Sequence, residues 1–473
     1  MATENTHFGA RAIADMLRDV HSVYFIGIGG INMSSLAHIT HMRGFRTGGS
    51  DRCRTALTEK LFEAGIEINY EHNARNIDSY DAVVYTVAIS PDNPEYLEAK
   101  RRGIPTISRA DYLGYVMMGY KNRIGISGMH GKSTCTSMCA ETFMNAHADP
   151  TVLSGAELSS MGGAYRVGKE EHFIFEACEY MDSFLDFNPT VAVILNIEMD
   201  HVDYFHSIEQ IKTSFSRFAA ITGECGYAVA NGDDENVMAA LSDYKGNLVT
   251  FGIKNEKCDF VAKNIVQNRG LYSFDVLCSG EYFCHISLSV SGYHNIYNAL
   301  ATVVSAKISG LSCEDIERGL ASFCGATRRM EYKGELGGAR VYDDYGHHPT
   351  EIYTTLCGAK ALCGEGGRLL CAFQSHTYTR TKEFLNEFVS ALSVADRVFS
   401  VDIYSARETD TLGVSAELIA NMLGEKKGRY CPSFEDTAKA ICEEARDGDV
   451  VVVMGAGDIY KVFGYLDGKL KTN

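Results

Sequence analysis

Short β-branched runs alternate with longer stretches in which apolar residues recur every three to four positions, a pattern that predicts parallel α/β units along most of the 473-residue chain. Residues 23–27 read as a first strand, 31–43 as its helix and 82–88 as a later strand of the same segment, while 100–105 marks a helix end feeding another short strand. A polar break at 119–123 follows. The next segment carries strands at 172–176 and 191–196 and then β-rich sequence from 247 to 290. The stretch 325–338, rich in glycine and charge, reads as a second boundary, with strands expected beyond it near 340–344, 368–374, 397–403 and 449–454. Three α/β domains are therefore expected, over 1–120, 121–324 and 325–473, in keeping with a prior of roughly 150 residues per domain.

Composition narrows the class. With 45% hydrophobic and 22% charged residues the chain has the make-up of a globular enzyme. A net charge of -17 argues against a nucleic-acid or anionic-membrane surface, so any phosphate site must be locally basic. No run approaches the length of a membrane span, and residues 1–20 lack a charged-then-apolar signal pattern, so a cytoplasmic protein without membrane insertion is expected. The 15 cysteines are scattered without a Cys-x-x-Cys pair and read as reduced, mostly buried residues. Cys135 and Cys139, at helical spacing, read as one packed face rather than a metal site.

Ile124-Gly-Ile-Ser-Gly-Met-His-Gly-Lys-Ser133 lies between a strand and a helix and ends in Gly-Lys-Ser. Such a loop cradles phosphates: backbone N–H groups curl around the anion, the helix N-terminus adds its dipole, Lys132 reaches the terminal phosphates and the Ser133 hydroxyl suits Mg²⁺. The spacing is tighter than the usual P-loop, since Ile126 stands where the first glycine belongs. Gly128, His130, Gly131, Lys132, Ser133 and Thr134 are the candidate nucleotide-phosphate contacts.

In the first segment, Gly27-Ile-Gly29-Gly30-Ile-Asn32 follows a strand and Asp51 lies 22 residues past Gly29, close to a dinucleotide fingerprint. Asn32 replaces the third glycine, which favours a diphosphate site over a nicotinamide site. Further along, Glu176 and His201 follow strands and should reach the carboxyl edge of a parallel sheet, where α/β domains bind ligands. Ser133 and Glu176 offer oxygen to Mg²⁺, whereas His201 would be an unusual ligand for it. Glu179, Asp182, Glu198, Asp200 and Asp203 are acidic neighbours, most of them expected as helix caps or solvated loop charges.

Taken together, these segments resemble the Mur ligase family. The resemblance rests on the Val23–Ser34 and Ser50-Asp51 stretches, Gly-Met-His-Gly-Lys-Ser, Glu176-Ala-Cys-Glu-Tyr, Asn196-Ile-Glu-Met-Asp-His201, Tyr293-His-Asn-Ile-Tyr-Asn298, Asp344-Tyr-Gly-His-His348, Gln374-Ser-His-Thr-Tyr-Thr-Arg380 and Met454-Gly-Ala-Gly457, in the family's order. It implies a Rossmann-like N-terminal domain, a central P-loop ATPase-type domain with extra β-strands and a Rossmann-like C-terminal domain. It further implies ATP and two Mg²⁺ ions as cofactors, with UDP-N-acetylmuramate and L-alanine as partners. Gly27, Gly29, Gly30, Asn32, Ser50, Asp51 and His72 would hold the UDP-sugar, with Asn295 and Asn298 at the adenine. Lys132, Glu176, His201 and Arg329 would be catalytic, and Ser133, Glu176 and His201 would take the metals. Asp344, Tyr345, His348, His376 and Arg380 would contact the amino acid or close over it.

Departures from the family pattern include Thr377, where a cation is commoner, and Phe215, at the place of a carbamylated lysine in related ligases, so no carbamyl-lysine is expected. Arg328, Arg329 and His347 also read as plain linker or structural residues, and Met454–Gly457 as a loop-fixing turn. A nicotinamide oxidoreductase, a nucleotide sensor without turnover and a recycling ligase for preformed peptides remain alternatives.

Overall fold

The computed structural model describes residues 3–201, 204–268, 270–406, 408–409 and 412–471. The chain forms two compact units, one of residues 1–198, 207–251 and 303–312, the other of 199–206, 252–302 and 313–473.

The first unit opens with a parallel five-stranded sheet, β1 Ser22–Ile26, β2 Arg46–Ser50, β3 Glu67–Asn69, β4 Ala82–Tyr85 and β5 Thr106–Ser108, in the order β3-β2-β1-β4-β5. β1 and β4 are buried throughout, as continuous apolar runs in parallel sheets should be. The helices are α1 Ala10–Met16, α2 Ile31–Met42, α3 Ala56–Glu63, α4 Pro94–Arg102 and α5 Arg109–Met117. Local sequence sets their ends: Thr55 caps α3 in a reciprocal box with Thr58, and α4 starts with Asn93 capping and Pro94 in its first turn and stops at left-handed Gly103. β4 ends at Tyr85 rather than running to 88, because the chain turns there, with Ile89 N–H donating to the Thr86 carbonyl.

The residues before α1 are laid onto this sheet and onto the segment at 186. Thr3 donates to the Val87 carbonyl, Thr6 bonds Ser108, the N–H groups of Phe8 and Gly9 donate to the buried Asp111 carboxylate, and His7 pairs with Asp186 at 2.6 Å.

A second sheet of this unit runs β12-β11-β10-β6-β9-β7-β8, with β6 Asn122–Ser127, β7 Thr151–Leu158, β8 Gly163–Arg166, β9 His172–Glu176, β10 Val191–Ile194, β11 Tyr227–Asn231 and β12 Asn247–Gly252. Its pairings are parallel except β7 with β8. Among its helices, α6 Lys132–Asn145 follows β6 and α7 Ile208–Ala220 follows β10. Phe215 of α7 is fully buried against Phe184. Cys135 and Cys139 lie in the core, one face of α6, and every cysteine is free.

The second unit contains the antiparallel strands β13 Phe260–Asn268, β14 Leu271–Cys278 and β15 Glu281–Ser291. β15 alternates exposed and buried positions, as a half-covered antiparallel strand does. Its other sheet has the order β16-β17-β21-β18-β19-β20, from β16 Glu331–Leu336, β17 Ala339–Asp344, β18 Leu369–His376, β19 Arg397–Tyr404, β20 Gly428–Cys431 and β21 Val450–Met454, parallel apart from β16. The stretch read as a boundary at 325–338 thus contains a strand. Its glycines have another job: Gly337 and Gly338 both take positive φ in a two-residue hairpin turn, and Gly334 sits where the β16–β17 register shifts. No helix among the described residues is long and apolar enough to cross a membrane.

Candidate active site

The glycine-rich loop after β6 turns as its sequence requires. Gly128 and Gly131 have φ of 137° and 84°, and α6 begins at Lys132, so its first N–H groups face the loop. Lys132 Nζ donates to the carbonyls of Gly128 and Met129 at 2.6 and 3.2 Å and lies 3.1 Å from the Glu179 carboxylate. Burial opposes the charge on Lys132, but the Glu179 and Glu176 carboxylates outweigh it and hold the ammonium above the ordinary lysine value. Glu179, expected as a cap or a solvated charge, is fully buried. Burial first, and then the Glu179 charge, push the Cys178 thiol up to about 12, so it stays protonated beside them.

Next to this pair, the Ser133 hydroxyl donates to Glu176 Oε2 at 2.7 Å, which also accepts the Gly155 N–H at 3.0 Å. A Cβ on Gly155 would stand 2.5 Å from that oxygen, so only glycine lets the carboxylate lie there. A hydroxyl and a carboxylate at the mouth of a phosphate loop are the hard oxygen donors Mg²⁺ selects, and the residues fit that ion. Asn196, just past β10, grips the loop from the other side: its Oδ1 accepts the His130 N–H at 2.8 Å and its Nδ2 donates to the His130 carbonyl at 2.9 Å. His130 also pairs with Glu198. Asp182 takes the Ser214 hydroxyl. Asp203 lies outside the described residues, as does Val202.

At the carboxyl edge of the first sheet, Gly27 has φ 83° in the turn after β1, and the Gly29 N–H donates to Asp51 Oδ2 at 2.8 Å. Asp51 therefore braces the glycine turn, a role different from the UDP-sugar contact expected of it. Asn32 is exposed in the first turn of α2. Ser50 and His72 converge on Glu95, a fully buried acid that no motif had marked.

The second unit holds the remaining candidates. His201, with φ 49°, has its N–H on Asp200 Oδ1, and Arg380 closes on the same Asp200 oxygen at 2.8 Å. Burial alone would raise the Asp200 carboxyl, but Arg380, His201 and His348 drive it well below the usual range. His348 caps helix α8, Pro349–Lys360, its Nδ1 accepting the Thr350 N–H at 3.3 Å while Glu351 completes the box. His347, the other histidine of that motif, is half-buried, and its pKa falls to about 4 chiefly by desolvation, against the pull of Glu351. His376 stacks on Tyr404 with centroids 5.4 Å apart.

Tyr345 lies under both neighbouring guanidinium groups, Arg328 at 5.0 Å and Arg329 at 5.2 Å from its ring centre. Arg328 also bonds the Gly455 carbonyl at 2.6 Å and pairs with Asp343 at 3.3 Å, so it secures the turn after β21. Asp344 spends both oxygens on the N–H groups of Met330 and Gly346, and burial, partly offset by Arg329, raises its pKa to about 6. Asn298 donates to Asn295 Oδ1 at 2.9 Å, and Asn295 to the Ser291 carbonyl at 2.7 Å.

Three family models match the chain in order: Mur ligase family, catalytic domain, at 22–121; Mur ligase middle domain at 126–306; and Mur ligase, glutamate ligase domain, at 328–457. The chain belongs to the Mur ligase family. A UDP-N-acetylmuramate–L-alanine ligase of Acetivibrio thermocellus is 45% identical over 93% of this chain and 94% of its own length. The crystal structure of the UDP-N-acetylmuramate-alanine ligase of Thermotoga maritima superposes with a TM-score of 0.77 at 27% identity, covering 94% of this chain and 98% of that one. A murein peptide ligase of Psychrobacter arcticus shares the fold, with a TM-score of 0.67 at 22% identity over 96% of this chain and all of that one. The architecture is accordingly the three-domain Mur ligase fold.

Proposed function

We propose that this chain is an ATP-dependent ligase that joins L-alanine to the lactyl carboxylate of UDP-N-acetylmuramate, in peptidoglycan precursor synthesis. The near full-length likeness to the 45% identical alanine ligase carries the reading. The Lys132–Glu179 and Ser133–Glu176 arrangement supports its chemistry. In this reading residues 1–120 bind the UDP-sugar, 121–324 the ATP, and 325–473 supply contacts to the amino acid.

A carboxylate is a poor electrophile. The lactyl oxygen would attack the γ-phosphorus of ATP, breaking the bond to the β-γ bridging oxygen and releasing ADP. The alanine nitrogen would then add to the acyl-phosphate carbonyl, lose a proton and expel inorganic phosphate. Phosphoryl transfer needs in-line positioning and charge neutralisation more than a nucleophilic side chain. Lys132 and the N–H groups at the start of α6 supply the cation and the dipoles. Ser133 and Glu176 would hold Mg²⁺, with His201 at a second ion; bound there, the metal neutralises phosphate charge. Asn295 and Asn298 would face the adenine. Arg329, Tyr345, His348, His376 and Arg380 would serve the amino-acid side.

Mass spectrometry of the product from UDP-N-acetylmuramate, ATP, Mg²⁺ and a mixture of amino acids and peptides tests this. Addition of one alanine, with ADP formed in equal amount, is expected. Addition of an intact peptide would replace the reading with a peptide-recycling ligase.

A further inference from the structure

At the first sheet's carboxyl edge, a second set of residues is more tightly built than the glycine turn. Glu95, in the first turn of α4, has 0% exposure. Its Oε1 accepts from the Tyr24 hydroxyl at 3.0 Å and Asn76 Nδ2 at 2.7 Å. Its Oε2 accepts from the Ser50 hydroxyl at 2.7 Å and meets His72 Nδ1 at 2.8 Å. Ser50 Oγ is itself 3.1 Å from His72 Nδ1. A carboxylate only accepts, and its four lone-pair directions are filled by these four groups. His72 Nδ1 must therefore carry the proton toward Glu95, and in the uncharged form of the ring this leaves Nε2 as an acceptor. The His72 side chain is 16% exposed while Glu95, on its Nδ1 side, has no exposed surface.

The strand order fixes where His72 sits. In a doubly wound sheet the ligand crosses the carboxyl ends, from the glycine turn after β1 toward the end of β2. Ser50 ends β2 and His72 follows β3, the strand beyond it, so both lie on the side where the base of a nucleotide diphosphate would sit. Uracil presents an N3–H donor, whereas cytosine presents a bare N3 acceptor at the same place. An imidazole nitrogen held as an acceptor bonds the first and repels the second.

We propose that Glu95 is the positioning residue that fixes His72 as the acceptor for uracil N3–H and thereby sets the preference for uridine over cytidine nucleotides. This rests on the first domain being the UDP-sugar domain. The test is calorimetric binding of UDP, CDP and N3-methyl-UDP to the full chain at pH 8, with ATP as an internal control. The parent protein should bind UDP at least about tenfold more tightly than either analogue, the scale of one buried hydrogen bond lost with its partner left unpaired. In Glu95→Gln and in His72→Ala that ratio should fall to within about threefold, with ATP affinity unchanged. The double variant should show no further fall, because the first residue acts through the second.

Equal weakening of UDP and CDP in Glu95→Gln, at an unchanged ratio, would make Glu95 a packing element only and overturn the proposal. Retention of the ratio in His72→Ala would also overturn it, and that variant decides the matter if Glu95→Gln does not fold. Parent protein binding UDP and CDP equally would sink this inference alone. Parent protein binding ATP but no uridine nucleotide would sink the UDP-sugar reading beneath it.

Discussion

Lys132 Nζ lies 3.1 Å from Glu179 Oε2, and the acid has no exposed surface. Removing one partner of such a pair strands the other charge in a dry site, at a cost of about 3–5 kcal/mol. Lys132→Met should lose that much in urea unfolding, and adding Glu179→Gln should recover at least half of it. Turnover in both variants should stay down by roughly a thousandfold, because neutralising Glu179 does not restore a cation at the phosphates. A single variant as stable as the parent would refute the buried-pair account.

Gly155 offers a steric test of Glu176. A methyl group there would press on both carboxylate oxygens, at 2.5 and 2.8 Å, from a backbone that an alanine can adopt. Gly155→Ala should leave the melting temperature near that of the parent while shifting the Mg²⁺ dependence of ADP formation to higher concentration, by about tenfold or more. Unaltered Mg²⁺ dependence would show that Glu176 has no part in holding the ion.

Asp344 and Asp200 should respond to pH in opposite senses. The folded pKa of Asp344 is raised to about 6, above the unfolded value, so the native state holds its proton more tightly. Its contribution to stability is full below the unfolded pKa and is lost as pH rises through about 6. Relative to the parent, Asp344→Asn should gain stability between pH 4 and pH 7, by up to about 3 kcal/mol for a shift of this size. Denaturation curves at four or five pH values would reveal it, and a pH-independent difference would contradict it.

Asp200 is depressed instead, so its share of stability is present above the unfolded pKa and lost as pH falls through the folded one. Arg380→Ala should cost about 3–5 kcal/mol at pH 7, with the gap to the parent narrowing below pH 4 as Asp200 takes up a proton. Arg380→Lys keeps the charge but not the fork, and should fall between them. A loss equally large at pH 3 and pH 7 would rule out Asp200 as the reason.

Much of this was legible in the chain. Gly128 and Gly131 announced the turn before α6, and the apolar runs marked β1, β9 and β21 to within a residue or so, because buried parallel strands leave continuous hydrophobic stretches; β6 instead begins inside the polar break read at 119–123. What stayed hidden depends on burial by distant segments. Glu179 looked like one of several loop acids, yet it is fully buried against Lys132, 47 positions earlier, and Glu95 has partners 23, 45 and 71 positions away. Gly337 and Gly338 read as linker because a hairpin turn and a linker share their composition. Asn196 could have been found, since a strand followed directly by asparagine at a sheet's carboxyl edge suggests a side chain free to bind a neighbouring loop.

Among the leading residues, Phe8 and Gly9 are held by Asp111 and His7 by Asp186, and Asp186 ends the short helical stretch that starts one residue after Glu179. α5 touches this same stretch so closely that a Cβ on Gly114 would meet the Asp186 carbonyl oxygen at 2.0 Å. Loss of residues 3–9 would therefore disturb more than a loose end, since Asp111 and Asp186 would both be stripped of these donors, the second of them a few residues from the lysine's partner.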